Sequence, residues 1–272
     1  MAGGIRKPAV AGQFYPSSEQ ELKRLIASFI VKEPANKDVI ACVLPHAGYV
    51  YSGRVAVETV SSMKIKDTVI LIGPNHSGYG EEFSIMTEGV WQTPMGDVRI
   101  NSDLAKQMAS HSPSLKEDTL AHRYEHSLEV ELPILQYFKM SFEIVPIAVF
   151  SGELALLKRI GKEIAQAIIS CGAKDSVVIA ASTDMTHYEP LEHAEKKDRL
   201  AIEAILALNE DALFENIAAQ GISMCGYAAV AVMLSAAKTL GASSGSLVKY
   251  QTSAEVSKDT SSVVGYAGMI IY

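Results

Sequence analysis

Short unbroken apolar runs alternate along the chain with longer stretches whose apolar residues recur at helical spacing. The runs are Val39 to Leu44, Asp67 to Ile72 (DTVILI), Phe142 to Phe150 (FEIVPIAVF) and Asp175 to Ala181 (DSVVIAA). None alternates apolar with polar, so each predicts a strand buried on both faces. Between and after them the spacing predicts helices. The first spans Glu19 to Phe29, capped by Ser17 or Ser18, with Leu22, Leu25, Ile26 and Phe29 on one face. The next starts at Ser52 as N-cap and carries Val55, Val57, Val60 and Met63. Further helices are expected from Asn101 or Ser102 to Ser110, over Val130 to Phe138, over Leu154 to Ile168, in two pieces over 191–220 broken near Asn209, and over Tyr227 to Leu240. Pro133 leaves the start of the Val130 helix open. Residues 1–16 look loop-like. Phe83 to Ile100 predicts irregular strand and turn, and Ser246 to Ser253 and Ser262 to Tyr272 predict two late strands. The last of these is placed at the closure or edge of the sheet.

This order of elements predicts an α/β fold, a three-layer α/β/α sandwich around a mixed, largely parallel sheet. No Pro/Gly/Ser-rich linker or low-complexity tract divides residues 1–272, so a single domain is expected. The first two strands with the helix between them make a βαβ unit, whose strands are parallel. Each ends in a loop carrying a histidine: Leu44-Pro45-His46 and Gly73-Pro74-Asn75-His76. Both imidazoles then leave the same edge of the sheet, and two histidines from adjacent parallel strands can meet one ion. In open α/β sheets, chemistry gathers at the carboxyl ends of strands.

Composition narrows the function classes. The 272 residues are 48% hydrophobic and 20% charged, with a net charge of −7 and no basic cluster, which argues against nucleic acid as a partner. No apolar run approaches the roughly 18 residues of a membrane span, and the first residues lack the apolar core of a signal peptide. Three widely spaced cysteines, Cys42, Cys171 and Cys225, do not form a disulfide pattern. A cytoplasmic, reducing setting is the simplest expectation. Cys42 lies inside the first strand and predicts an inert core thiol.

Two further loops add chemistry. The strand ending at Ala181 runs into Ser182-Thr183-Asp184-Met185-Thr186-His187, and Cys225 precedes an apolar helix, where unpaired N–H groups favour a thiolate. Two imidazoles and a thiolate suit a borderline metal such as iron, copper or zinc, with coordination positions left open. Asp184 or His187 then fits the part of ligand orienter or general base.

At these residues the sequence resembles the Memo family. The matching segments are Ala11-Gly12-Gln13-Phe14-Tyr15-Pro16, Leu44-Pro45-His46-Ala47-Gly48-Tyr49, Gly73-Pro74-Asn75-His76, Glu125-His126-Ser127-Leu128-Glu129, Ser182 to His187 and Cys225-Gly226. Prokaryotic members are called protein B of the AmmeMemoRadiSam system, beside a radical-SAM protein, which makes such a protein an expected partner. The family is similar in fold to class III extradiol, LigB-like dioxygenases. The resemblance implies His46, His76 and Cys225 at the metal-ligand positions and His187 at the acid/base position. It also implies Phe14 and Tyr51 lining the same cleft, where a small molecule or peptide would bind. An animal member is linked to phosphotyrosine peptides and carries Trp where this chain has Phe14. Glu125 and His126 border the cleft, as ligand-orienting or structural residues. Ring-cleaving dioxygenases place a carboxylate, not a cysteine, at the third ligand position, and a thiolate changes metal preference and redox potential.

Three functions follow as expectations: a metal-dependent oxidoreductase, a non-catalytic metal- or peptide-binding module, and a zinc hydrolase. The last rests on His122-Arg123-Tyr124-Glu125-His126, which fits H-x-x-E-H and requires both histidines on one helical face.

Overall fold

A computed structural model describes residues 4–31, 34–150 and 152–272, so the first three residues of the expected N-terminal loop lie outside the description. In chain order its first half forms β1 (Ile5–Arg6), α1 (Glu19–Phe29), β2 (Ala41–Leu44), α2 (Tyr49–Ser61), β3 (Thr68–Pro74), β4 (Phe83–Ile85), β5 (Val90–Thr93), β6 (Gly96–Ile100), α3 (Ser102–His111) and β7 (Lys116–Glu117). The second half forms α4 (Glu131–Phe138), β8 (Glu143–Val149), α5 (Leu154–Ser170), β9 (Val177–Ser182), β10 (His187–Glu189), α6 (Leu191–Leu206), α7 (Glu210–Gln220), α8 (Tyr227–Thr239), β11 (Gly245–Thr252), α9 (Ala254–Ser257) and β12 (Val263–Ile271).

The strands make one mixed sheet in the order β1-β5-β6-β8-β3-β9-β2-β12-β10, with β11 on β12, β4 on β8 and β7 on β4. At its centre β8, β3, β9 and β2 are mutually parallel. These are the four unbroken apolar runs, and nearly every residue in them is buried. Helices cover both faces, as alternation along β12 shows. A Cβ on Gly265 would strike Asp198 of α6, and one on Gly268 would strike Thr59 of α2. Those glycines are three residues apart, so α6 and α2 lie on opposite sides of the sheet.

Several local expectations are revised. β2 and β3 are not neighbours: β9 lies between them, with Ile179 aligned to Ala41 on one side and Ile70 on the other. The βαβ unit remains parallel because β9 inserts in the same direction. β12 lies inside the sheet, between β2 and β11, because its residues 263–271 are almost all buried and pair on both sides. α2 begins at Tyr49 rather than after Ser52, and the Ser52 hydroxyl donates back to Ala47 O inside the first turn. The start of α4 is settled by position: Pro133 is its third residue, within the first turn, where backbone N–H groups lack helical partners anyway. Asn101 and Asn209 cap α3 and α7 through their side chains, accepting from Leu104 N and Ala212 N. Among the described residues no helix is long and apolar enough to cross a membrane.

Candidate metal centre

Parallel strands that end together bring their following loops to one edge. His46 follows β2, His76 follows β3, and the loop Thr183 to Thr186 follows β9. A fourth segment, 118–130, crosses the same edge and supplies Glu125 and His126. The rings of His76 and His126 stack with centroids 4.7 Å apart, and His46 meets them edge-on at 5.1 and 5.4 Å. One ring nitrogen from each of the three lies within 4.8 Å of the others, close enough to hold one metal ion.

The hydrogen bonds set the ring tautomers. Glu125, buried, accepts from His76 N at 2.5 Å, His76 Nδ1 at 2.9 Å and Ser127 N at 2.9 Å. A carboxylate can only accept, so His76 carries its proton on Nδ1 and turns the Nε2 lone pair away from Glu125. Burial alone would raise the Glu125 carboxyl. The His76 ring, the Ser127 N–H and His126 outweigh it and hold the group at about 2. His46 is pushed well below the ordinary histidine range by burial and then by His76, His126 and His187. His126 is lowered chiefly by burial. Neutral imidazoles with free lone pairs are the form that binds metal.

Cys225 reaches the cluster from the other side. Its Sγ lies 3.3 Å from His46 Nε2 and accepts the Asp184 N–H at 3.2 Å. Ligands at zinc-like bond lengths on adjacent tetrahedral corners stand roughly 3.5 Å apart, so the spacing to His46 suits a pair of neighbouring ligands, while Cys225 lies outside the group of mutually close ligand atoms that the three histidines form. Burial pushes the Cys225 thiol up to about 12, more than the Asp184 N–H bond lowers it. Cys225 also precedes the N-cap, Gly226, and so is not part of α8. Gly226 itself is required by space. A Cβ there would lie 2.3 Å from Ser182 O, and its N–H donates to Thr183 Oγ1.

Asp184 accepts the His46 N–H at 2.8 Å, and burial raises its carboxyl to about 7 despite that bond and one from Ala47. His187 stands apart from the three-histidine group. Its Nδ1 is 2.9 Å from Ser223 O, a carbonyl that can only accept, so Nδ1 bears a proton. Both residues line a cleft of about 500 Å³ together with His46, His76, His126, Phe14 and Tyr51. Tyr188, 77% exposed and held at φ +58°, forms its rim. Phe14 packs on His126, with centroids 4.8 Å apart, and its carbonyl accepts the Tyr49 N–H.

Sequence patterns missed the supports of this arrangement. Arg6 donates to His122 O and Glu125 O and pairs with buried Glu129. Glu129 in turn accepts from Ala9 N, Val10 N and Tyr15 Oη, which ties the Phe14 loop to the His126 loop. The signal was faint: a single arginine near the chain start and an acid four residues past Glu125. The H-x-x-E-H pattern fails the helical condition it depends on. Residues 121–130 form turns and irregular backbone, and α4 starts only at Glu131. His122 is fully buried against Trp91, with Nε2 3.0 Å from Ser84 Oγ, and is outside the metal-ligating group.

Comparison with known proteins identifies the family and relatives of the chain. The family described as Memo-like protein matches residues 6–270. A MEMO1 family protein of Methanosarcina barkeri is 41% identical over 98% of this chain and 100% of its own length. One from Aquifex aeolicus is 40% identical over 98% of each. An uncharacterized Escherichia coli K12 protein of known crystal structure is similar in fold, with a TM-score of 0.58 at 12% identity over 85% of this chain and 98% of that one.

Proposed function

The chain belongs to the Memo family, and we propose that it is a metal-dependent oxidoreductase whose ion is held by His46, His76 and His126, with Cys225 as a fourth ligand. The single observation that carries the reading is the convergence of three imidazoles, with one ring nitrogen of each within 4.8 Å of the others, in an open cleft. Nitrogen ligands with one soft sulfur suit zinc, copper or iron, and a bound ion lowers a neighbouring thiol's pKa enough to deprotonate it. When bound, a redox metal supplies Lewis acidity and electron transfer to a small molecule in the cleft. The chain's own residues do the rest. Glu125 orients His76, and Asp184 positions the His46 backbone and the Cys225 sulfur. Phe14, Tyr51 and Tyr188 offer aromatic surface to a substrate. The His187 Nε2 lone pair accepts or returns a proton at the cleft wall.

The test is anaerobic reconstitution of the full chain with Fe(II), then O₂ uptake with a panel of catechols. Substrate-dependent uptake that is lost in His187→Ala while metal content is kept supports the oxidoreductase. Tight metal binding without uptake contradicts it and leaves the second reading, a metal-holding module for a peptide or a radical-SAM partner. The exposed Tyr188 and Tyr51 at the cleft mouth favour that alternative, because exposed aromatic surface beside a cleft marks a place where a partner docks.

A further inference from the structure

Ser182, the last residue of β9, touches three polar groups. Its Oγ lies 2.7 Å from Ser127 O, 2.8 Å from His46 Nδ1 and 3.1 Å from Glu131 Oε1. A hydroxyl has one proton to give and two lone pairs. Ser127 O, a carbonyl that can only accept, makes a clearly shorter contact than Glu131 Oε1 and takes the proton. The other two contacts then have to be donors into Ser182 Oγ. His46 donates Nδ1–H, and Glu131 donates from Oε1, which requires a carboxylic acid.

The surroundings of Glu131 agree. It is 1% exposed in the first turn of α4, an isolated acid in the apolar stretch Val130 to Leu135. Its Oε2 has no hydrogen-bond partner among the described residues. An ionised carboxylate would carry charge on that orphaned oxygen and face Ser182 Oγ with no proton between them, a costly arrangement in a dry interior. Burial, reinforced by Asp184, raises the group well above the ordinary carboxylate range.

We propose that Glu131 is a buried neutral acid which, with Ser182, locks His46 as its Nδ1–H tautomer and so aims the Nε2 lone pair at Cys225 and the metal position. Both are positioning residues, and the arrangement is a clamp rather than a proton wire. The Ser182 proton points to Ser127, so no proton passes between Glu131 and His46 without the hydroxyl first turning. The use of the clamp rests on His46 being a ligand, but its proton positions do not.

The experiment uses the metal-free full chain labelled with ¹⁵N-histidine. Two-bond ¹H–¹⁵N correlations, assigned by their loss in His46→Ala, report the tautomer. Infrared difference spectra between wild type and Glu131→Gln report a protonated carboxyl at neutral pH. The expected results are an Nδ1–H His46 in the wild type and a carboxylic-acid carbonyl band that Glu131→Gln removes. Glu131→Gln keeps the tautomer and holds zinc affinity within about threefold, because its amide still donates to Ser182. Ser182→Ala removes the acceptor, mixes the tautomers and lowers zinc affinity by roughly tenfold or more. An Nε2–H His46 in the wild type, or no acid band lost in Glu131→Gln, overturns the proposal even if Ser182→Ala fails to fold. A protein that binds no metal yet shows both signatures refutes the metal-centre reading and leaves the clamp standing.

Discussion

Glu125 Oε1 lies 2.9 Å from His76 Nδ1, while Oε2 receives the His76 backbone N–H, so one buried carboxylate grips the same histidine at both ring and main chain. That double hold fixes the tautomer and the direction of the Nε2 lone pair. Glu125→Gln keeps the shape but offers one acceptor oxygen where three donors converge. Metal affinity is expected to fall roughly 10–100-fold, the usual effect of losing a ligand's hydrogen-bond partner. Competition with a chromophoric chelator measures it, and unchanged affinity would show that Glu125 does not orient a ligand.

His122 gives a pH signature with a definite sign. Burial first, with Arg6 adding to it, lowers its pKa to about 4, outweighing the pull of Asp118 and Glu125. The unfolded value is higher, so protons favour the unfolded chain between the two. The stability contribution is complete above about 6.5, is lost as pH falls toward 4, and changes by about 1.4 kcal/mol per unit within that window. Asp184, raised to about 7, acts in the opposite sense across this whole range. The comparison is therefore the difference between wild type and His122→Gln in urea unfolding at several pH values. The wild type should lose stability more steeply than the variant on acidification, while both keep the same metal content. Loss of metal in folded His122→Gln would revive the hydrolase reading.

Gly226→Ala places a methyl carbon 2.3 Å from Ser182 O, at the junction that sets Cys225 and His46. Backbone has to move, at a cost of about 1–3 kcal/mol for such overpacking. The expected result is a lower Tm together with weaker metal binding. A substitution that lowers neither would mean the β9 loop yields freely.

Cys225 and His126 separate by spectroscopy. With Co(II) in the site, a sulfur ligand gives a thiolate-to-metal charge-transfer band in the near ultraviolet. Cys225→Ser should abolish the band while Co(II) remains bound, and His126→Ala should keep the band with weakened binding. A band unaffected by Cys225→Ser would remove the cysteine from the coordination sphere.

Much of this arrangement was legible in the chain. Unbroken apolar runs identify buried parallel strands because a strand covered on both faces has no polar side to show, and strand-end placement put His46, His76 and Asp184 on one edge. Strand order was not legible. β9 between β2 and β3 depends on contacts across more than 100 residues, and local periodicity carries no record of them. His126 was seen as a cleft border, but its place beside His76 depends on the Arg6–Glu129 tie, which joins segments far apart in sequence. The place of Cys225 just before a helix is visible in sequence, and its degree of burial is not. Glu131 left one trace, an acid where the pattern calls for an apolar residue.

The central claim is that His46 and His76 hold a metal ion, and metal content per chain measures it most directly. Full-length wild type, His46→Ala and His76→Ala are to be loaded with Zn(II) or Fe(II), desalted and analysed by mass spectrometry, with circular dichroism to confirm folding. About one ion per wild-type chain is expected, by analogy with multi-histidine sites, and little or none in either folded variant. Folded variants that both retain the wild-type content would contradict the account.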